Sequence, residues 1–190
     1  MEKVVKELII ARKYTLFPDP ENNSETNSSK NKEKDKFRLI AHGKKKNHQL
    51  QVYFSDSKEK IGVREIRTVI ENAKHLNLKI LLLITIEKMT FFAQRECKSK
   101  NNSSEYPIIE LWTKNELNCN ILNHFTQPKF TVLSSKEKQQ LLKKTDVKKF
   151  PKLLQTDPVS RFLGLQKGTI VLVDRVLPGG QTTKIYRHVS

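Results

Sequence analysis

Two short segments of the sequence carry the residue types of a metal-dependent nuclease. Pro18-Asp19 and Asp56-Ser57-Lys58 match a spaced proline–aspartate and acid-x-lysine pattern. In sites of this kind two carboxylates hold Mg²⁺ and the lysine positions the attacking water. Asp19, however, lies within residues 18–36, which contain no aliphatic or aromatic side chain and which we expect to be a disordered loop. Such short patterns also arise by chance in a lysine-rich chain, so a nuclease is kept only as an alternative.

The remaining residues with catalytic or ligating side chains are not spaced as a site requires. The two cysteines, Cys97 and Cys119, stand alone, and no histidine spacing resembles a zinc site. No serine occupies a Gly-x-Ser-x-Gly elbow, and no glycine-rich phosphate loop is present. The sequence therefore predicts no catalytic residue, no metal site and no cofactor. Two cysteines cannot staple a scaffold, and we expect both thiols to be reduced.

The strong positive charge of the chain calls for an anionic partner. Lys and Arg total 36 against 20 Asp and Glu, a formal net charge of +16. This balance suits nucleic acid or an acidic protein surface, so a free-standing basic DNA-binding module is the second alternative. No apolar run approaches the roughly 18 residues of a membrane span, and the start of the chain does not resemble a secretory signal. Four aromatic residues lie within apolar patterns and are expected in the core, not on a base-stacking platform: Phe54, Phe91, Phe92 and Trp112.

Hydrophobic periodicity predicts a three-layer α/β domain over residues 1–122. The predicted helices cover residues 2–13, 62–76 and 90–97, and the predicted strands cover residues 37–42, 50–54, 78–86, 108–112 and 118–122. The run over 78–86 is almost entirely apolar, which indicates a central strand buried on both faces. Residues 123–130, which include Pro128, are expected to form a linker.

Residues 131–190 predict a second, smaller α+β domain of two layers. Ser134 and Glu137 have the spacing of a capping box, so a helix begins there. Asp157-Pro158 is typical of a helix start, and Gly164 fits the end of that helix. Strands over 169–173 and 184–189 follow. This domain has 12 basic against four acidic residues, a net charge of +8.

The segment Thr156–Val171 (TDPVSRFLGLQKGTIV) closely resembles a family signature. That signature is aspartate-proline-valine-alanine, a basic residue and an aromatic, then glycine, an aliphatic, lysine-arginine-glycine and a β-branched run. It belongs to the fifth common subunit of eukaryotic nuclear DNA-directed RNA polymerases, which is related to a shorter archaeal polymerase protein that consists of the C-terminal module alone. The resemblance implies that eight residues serve docking and assembly: Asp157, Pro158, Arg161, Gly164, Gly168, Arg175, Tyr186 and Arg187.

The N-terminal domain resembles the same family over looser motifs. Phe37–His42 and Gly62–Arg67 look like its first strand pair and the helix after it. Met89-Thr90 falls where the family has a methionine-threonine-proline loop, and Phe91 stands in place of the proline. Val176-Leu177-Pro178 also departs from the family pattern, which indicates a divergent member. The residues that the resemblance and the charge place near DNA are Lys44, Lys45, Lys46, Lys88, Met89 and Thr90.

The resemblance implies a noncatalytic structural subunit. Its C-terminal module is expected to dock on the largest polymerase subunit and to contact other subunits. Its N-terminal domain is expected to form part of the jaw near downstream duplex DNA, with a restriction-endonuclease-like fold that lacks the active site. The expected location is the nucleus, or the cytoplasm or virion if the source is a large DNA virus. No membrane contact is expected.

Overall fold

The chain folds into two compact units, Met1–Cys119 and Asn120–Ser190. The computed structural model describes residues 1–17, 38–43, 48–55, 60–177 and 179–190. Each unit contains one mixed β-sheet. The helices are α1 (Glu2–Ala11), α2 (Val63–His75), α3 (Phe91–Asn101), α4 (Ser135–Lys144) and α5 (Pro158–Phe162). The strands are β1 (Thr15–Phe17), β2 (Arg38–His42), β3 (Gln49–Ser55), β4 (Ile80–Thr85), β5 (Ile108–Thr113), β6 (Lys129–Val132), β7 (Lys152–Leu153), β8 (Ile170–Val176) and β9 (Thr182–Val189).

The N-terminal sheet has the order β1-β2-β3-β4-β5. Strands β1, β2 and β3 pair antiparallel, whereas β4 pairs parallel to both β3 and β5. The strands predicted over 37–42 and 50–54 are therefore present as the antiparallel pair β2–β3, and the predicted central strand is confirmed as β4. Leu81 to Thr85 are all buried, which explains why this strand is almost continuously apolar in sequence.

Helices cover both faces of the N-terminal sheet. Helices α2 and α3 bury Ile66, Ile70 and Ala93 in one core cluster with residues of β3, β4 and β5, including Ile109. Side chains alternate between the faces of a strand, so Glu110 lies on the face opposite Ile109. Arg12, just after α1, donates two hydrogen bonds to the Glu110 carboxylate at 2.9 and 2.7 Å. Helix α1 therefore covers the second face, which makes three layers.

The C-terminal sheet has the order β6-β8-β9-β7. Strands β8 and β9 form the long antiparallel hairpin of the unit, with Leu172 opposite Tyr186. Leu153, Leu165, Val171 and Val189 form a buried cluster, against which Phe130 packs. This core is smaller than that of the N-terminal unit, as expected for about 70 residues.

Several segments differ from the sequence-based expectations, among them β6 (Lys129–Val132), whose first two residues were predicted as part of the linker. The strand predicted over 118–122 is wrong: Ile121–Asn123 form a short 3₁₀ turn, because the Asn120 side chain accepts a hydrogen bond from the Leu122 amide at 2.9 Å. Strands β1 and β7 were not predicted, since three and two residues are too few to show a period. The loop predicted over 18–36 lies outside the described residues. No helix in the described ranges is long and apolar enough to cross a membrane.

Candidate functional site

The family-like signature forms the short helix α5, and Asp157 holds its start. The Asp157 carboxylate accepts a hydrogen bond from the Val159 amide at 2.9 Å, and Pro158 occupies the first turn. Val159 and Phe162 are buried, which fixes the helix against the rest of the unit. An N-terminal cap of this kind contributes about 1 kcal/mol. The Asp157 side chain therefore serves the fold of its own chain.

Gly164 ends helix α5 in a left-handed conformation with φ of 63°. The Leu165 amide donates to the Ser160 carbonyl at 2.9 Å, and the Gly164 amide donates to the Arg161 carbonyl at 3.0 Å. These two bonds define a Schellman motif, which favours glycine because a side chain is strained at positive φ. The predicted helix end is thus confirmed together with its cause.

Gly168 links the signature to strand β8 and to helix α4. Its φ is +83°, and a Cβ built on it would meet nothing within 4 Å. Glycine is therefore needed for its backbone conformation and not for space. The Gly168 carbonyl accepts a hydrogen bond from Lys138 Nζ at 2.7 Å, and its amide donates to the Val189 carbonyl at 2.9 Å. The residue joins three elements of the C-terminal unit.

Three of the four remaining assembly candidates lie on the β8–β9 hairpin, and they occupy opposite faces of it. Arg187 pairs with Val171, and Arg175 pairs with Thr183. Because residues two apart share a face, both arginines lie on the face that carries Val171. Tyr186 lies on the other face, where its ring is 5.9 Å from that of Phe150. Tyr186 also lines a cavity of about 300 Å³ with residues of β6, α4 and β8. These residues do not form one constellation.

Arg175 and Pro158 are the most accessible of the assembly candidates. Both are exposed, whereas Arg161, Tyr186 and Arg187 are partly buried. Asp157, Gly164 and Gly168 act within the chain, so only the exposed members of the set are accessible to another protein. Arg175 has no ion-pair partner among the described residues.

Three of the six residues expected near DNA lie within the described residues: one is a surface cation and two are structural. Lys88 is exposed. Met89 is only 6% exposed and belongs to the core cluster of the N-terminal unit. Thr90 caps helix α3, where its hydroxyl accepts from the Ala93 amide at 3.3 Å and donates to the Ile61 carbonyl at 3.3 Å. Lys44, Lys45 and Lys46 lie outside the described residues.

Phe91 and Phe92 are exposed, so the expectation that they pack in the core is wrong. Phe91 is 72% exposed and Phe92 is 69% exposed, whereas Trp112 is buried as expected. The reason is helical geometry. Ala93 and Cys97 form the buried face of α3, and at about 100° per residue Phe91 lies roughly opposite them. The Ala93–Cys97 spacing was the sequence signal that could have shown this.

The nuclease residues Asp19, Asp56 and Lys58 all lie outside the described residues, so no geometry can be assigned to that pattern. Within the described ranges, no group of three or more His, Cys, Asp and Glu side chains could hold a metal ion. Cys97 is buried, and burial raises the pKa of its thiol to about 11. A thiol with such a pKa is a poor nucleophile at neutral pH.

Polar contacts hold helix α3, which carries Phe91 and Phe92, against helix α2 and Tyr106. Arg67 of α2 donates to Glu96 of α3 at 2.9 Å and 3.2 Å. This hydrogen bond lowers the pKa of the Glu96 carboxyl and raises the pKa of Arg67. Lys100 donates to the Tyr106 hydroxyl at 2.8 Å and lies 4.0 Å above the centre of its ring. Helix α3 is thereby held in one orientation.

Comparisons with known proteins point to a single family. The family model described as "RNA polymerase Rpb5, C-terminal domain" matches residues 119–189. The chain is similar to "DNA-directed RNA polymerases I, II, and III subunit RPABC1" of Caenorhabditis briggsae and Caenorhabditis elegans, with 28% identity over 139 residues, 72% of this chain and 64% of the relative. It is also similar to "DNA-directed RNA polymerase V subunit 5C" of Arabidopsis thaliana, with 31% identity over 60% of this chain and 48% of the relative. The alignment thus spans 64% of the length of the nematode relatives.

Proposed function

The chain belongs, as a divergent member, to the Rpb5 family of RNA polymerase subunits, and from this we propose that it is a noncatalytic structural subunit of a multisubunit DNA-directed RNA polymerase. Its partners are then the other polymerase subunits, and the assembled enzyme brings it near DNA. Its location follows that of the polymerase: the nucleus, or the cytoplasm or virion if the source is a large DNA virus.

One observation carries the proposal. The family match over residues 119–189 coincides with the compact unit Asn120–Ser190. The match therefore covers a complete structural unit with its own core, and it includes the capped helix α5. Shared local sequence alone would not need to respect the boundary of a folded unit.

We propose that the C-terminal unit docks on the largest polymerase subunit through the end of the β8–β9 hairpin that carries exposed Arg175. What supports this surface is that Arg175 is exposed and has no ion-pair partner in the described ranges. A guanidinium can bond a carboxylate or backbone carbonyls of another protein with two parallel hydrogen bonds. Exposed Pro158 offers a rigid contact at the start of α5.

We propose that the N-terminal unit forms part of the jaw near downstream duplex DNA. The exposed Lys88 supports this proposal, because lysines on such a surface meet phosphates without reading bases. We further propose that this unit has a restriction-endonuclease-like fold without an active site. The five-stranded mixed sheet with helices on both faces supports that assignment.

The test is affinity purification of the tagged chain from its native source, followed by mass spectrometry of stoichiometric partners. We expect two very large catalytic polymerase subunits among them, and their identity would name the polymerase class. Recovery of the chain alone at ordinary salt would contradict the subunit role and favour a free-standing DNA-binding protein.

Two charge reversals in the C-terminal unit test the docking surface. Arg175→Glu changes the proposed end of the hairpin, and Lys136→Glu makes the same charge change at an exposed position in the first turn of α4, where an acidic side chain is favourable. We expect Arg175→Glu to reduce recovery of the largest subunit and Lys136→Glu to leave it unchanged. Equal losses from both variants would contradict docking through the Arg175 end of the hairpin.

A further inference from the structure

The start of helix α3 displays two large aromatic rings to solvent. The rings of Phe91 and Phe92 meet edge to face, with centres 5.9 Å apart and planes at 77°. Each ring leaves most of its surface uncovered, and burying a phenylalanine ring is among the larger apolar gains available to a protein. Two neighbouring exposed rings therefore indicate a surface that a ligand covers.

The scaffold beneath these rings is fixed. The Thr90 cap holds the first turn, Ala93 is fully buried, and Glu96 is bound to Arg67. The Gln94 side chain also donates to the Met89 carbonyl at 3.0 Å. The rings are thus presented on a rigid element, so a ligand does not need to order the backbone when it binds.

Exposed cations accompany the rings along the same helix face. Arg95 lies one turn after Phe91, and Lys98 lies nearly two turns after it, about 6 and 10 Å along the helix axis. Lys88 precedes the cap and is also exposed. None of these three cations has an ion-pair partner among the described residues. We call Lys88, Phe91, Phe92, Arg95 and Lys98 the aromatic–cation stripe.

We propose that the aromatic–cation stripe binds single-stranded nucleic acid. Unpaired bases stack on the two phenylalanine rings, and the phosphates that follow contact the cations. This is the combination of aromatic platform and positive groove by which proteins bind single strands without reading sequence. Binding of this kind does not require the polymerase role, because the stripe lies wholly within one unit of this chain.

Charge and stacking energy favour this ligand over two others. An apolar protein segment would cover the rings but would leave Arg95 and Lys98 beside it with their charges partly desolvated and unpaired, which is costly. Duplex DNA offers phosphates, but its bases are already stacked, and opening a base step costs a few kcal/mol. Unpaired bases incur no such cost. The acidic residues nearest to the stripe in sequence are exposed Glu87 and Glu96, which is already paired with Arg67.

The experiment measures binding of the purified full chain to three fluorescently labelled probes by anisotropy. They are a short oligothymidine, an abasic strand of equal length that keeps the phosphates but lacks bases, and a duplex of equal length. The test variant is Phe91→Ala/Phe92→Ala. The matched control is Phe125→Ala, since Phe125 is 92% exposed and lies in the other unit.

We expect the double variant to bind oligothymidine at least 5- to 150-fold more weakly, which is about the loss of stacking for each base, and to bind the abasic strand as the unchanged protein does. Phe125→Ala should match the unchanged protein on all probes. Charge reversal of Arg95 and Lys98 should weaken binding to both single strands and reduce the salt dependence. Far-ultraviolet circular dichroism should show the variants folded, because alanine at exposed helical positions favours the helix.

Three results would overturn single-strand stacking. The unchanged protein could bind the abasic strand as tightly as oligothymidine, the double variant could bind oligothymidine as tightly as the unchanged protein, or the duplex could be the preferred probe. None of these results bears on co-purification with polymerase subunits, so failure here and failure of the subunit role are distinguishable.

Discussion

Replacing Gly168 with alanine isolates the energetic cost of one backbone conformation. The φ of Gly168 is +83°, and an added methyl group would meet no atom within 4 Å. A side chain in the left-handed region costs roughly 1–2 kcal/mol. The loss of chain freedom in the unfolded state returns about 0.4–1 kcal/mol. The middle of the first range exceeds the middle of the second by about 0.8 kcal/mol, so we expect Gly168→Ala to destabilise the C-terminal unit by about that much, without any steric clash.

The assay is native-state hydrogen exchange resolved by mass spectrometry over residues 165–190, which include β8 and β9. Two variants serve as controls. Gly168→Asn should lose less stability than Gly168→Ala, since asparagine tolerates positive φ. Gly62 has a φ of −87° and open space around it. Gly62→Ala should change the free energy of unfolding by only a few tenths of a kcal/mol, because a weaker helix cap and a stiffer unfolded chain offset each other. A Gly168→Ala protein as stable as the unchanged one, or a Gly168→Asn protein that loses as much stability as Gly168→Ala, would contradict a cost of positive φ at this position.

Four further predictions concern single side chains, and thermal and urea unfolding measure each. Asp157→Ala should lower the free energy of unfolding by about 1 kcal/mol through loss of the α5 cap. Asp157→Asn should keep most of the stability, because asparagine is a similar cap. Ser160→Ala should stabilise by up to about 1 kcal/mol, since the buried Ser160 hydroxyl has no hydrogen-bond partner in the described ranges. Glu110→Ala should cost about 3 kcal/mol, because it removes two hydrogen bonds and the opposite charge from the Arg12 guanidinium, whose side chain is 3% exposed. Burial raises the pKa of the Cys97 thiol from 9.0 to about 11. The contribution of the buried thiol to stability should therefore be complete below pH 9 and should be lost as the pH rises toward 11. Cys97→Ala should not show this fall in stability.

Several outcomes would contradict these four expectations. Equal losses from Asp157→Ala and Asp157→Asn would mean that the cap does not act through its side-chain oxygen. A destabilised Ser160→Ala would show that the hydroxyl has a partner, such as a bound water. A near-neutral Glu110→Ala would mean that water reaches the Arg12 guanidinium. An unchanged alkaline fall in Cys97→Ala would assign that fall to another group.

Local chemistry made the helix ends and glycine turns of the C-terminal unit predictable. The capping box of α4 is present as its sequence indicates: the Ser134 amide donates to Glu137 at 2.7 Å, and the Glu137 amide donates to Ser134 at 3.3 Å. The hydroxyl and amide of Ser134 also lower the pKa of the Glu137 carboxyl. The bounds of α5 follow equally from Asp157 and Gly164. Caps and glycine turns are readable because their causes lie within a few residues of one another.

Long-range contacts were not readable in the same way. Arg12 and Glu110 are 98 residues apart in sequence, and each alone is one charged residue among many. Their pairing places α1 on the second face of the sheet, a fact that no local pattern contains. Strand β1 likewise exists because β2 offers it a partner, and its three residues carry no period of their own.

The exposed aromatic pair shows where periodicity was misjudged. Phe91 and Phe92 stand beside Ala93 in an apolar group, which suggested burial. Only two small residues, Ala93 and Cys97, face the core from α3 along its length. The smaller side chains are inside because α3 lies close to α2 and β5, so the larger rings have no space there.

The sequence by itself determined the longer helices and strands of both units, the caps of α4 and α5, the glycine turns and the family signature. Each of these depends on residues that are neighbours in the chain, so propensity, capping and steric restriction suffice to specify them. Only the tertiary structure decided which face each element buries. It placed Arg175 and Arg187 on one side of the hairpin and Tyr186 on the other, and it put Met89 in the core and Phe91 in solvent. Burial depends on the partners that packing brings from distant parts of the chain, and no local pattern specifies those partners.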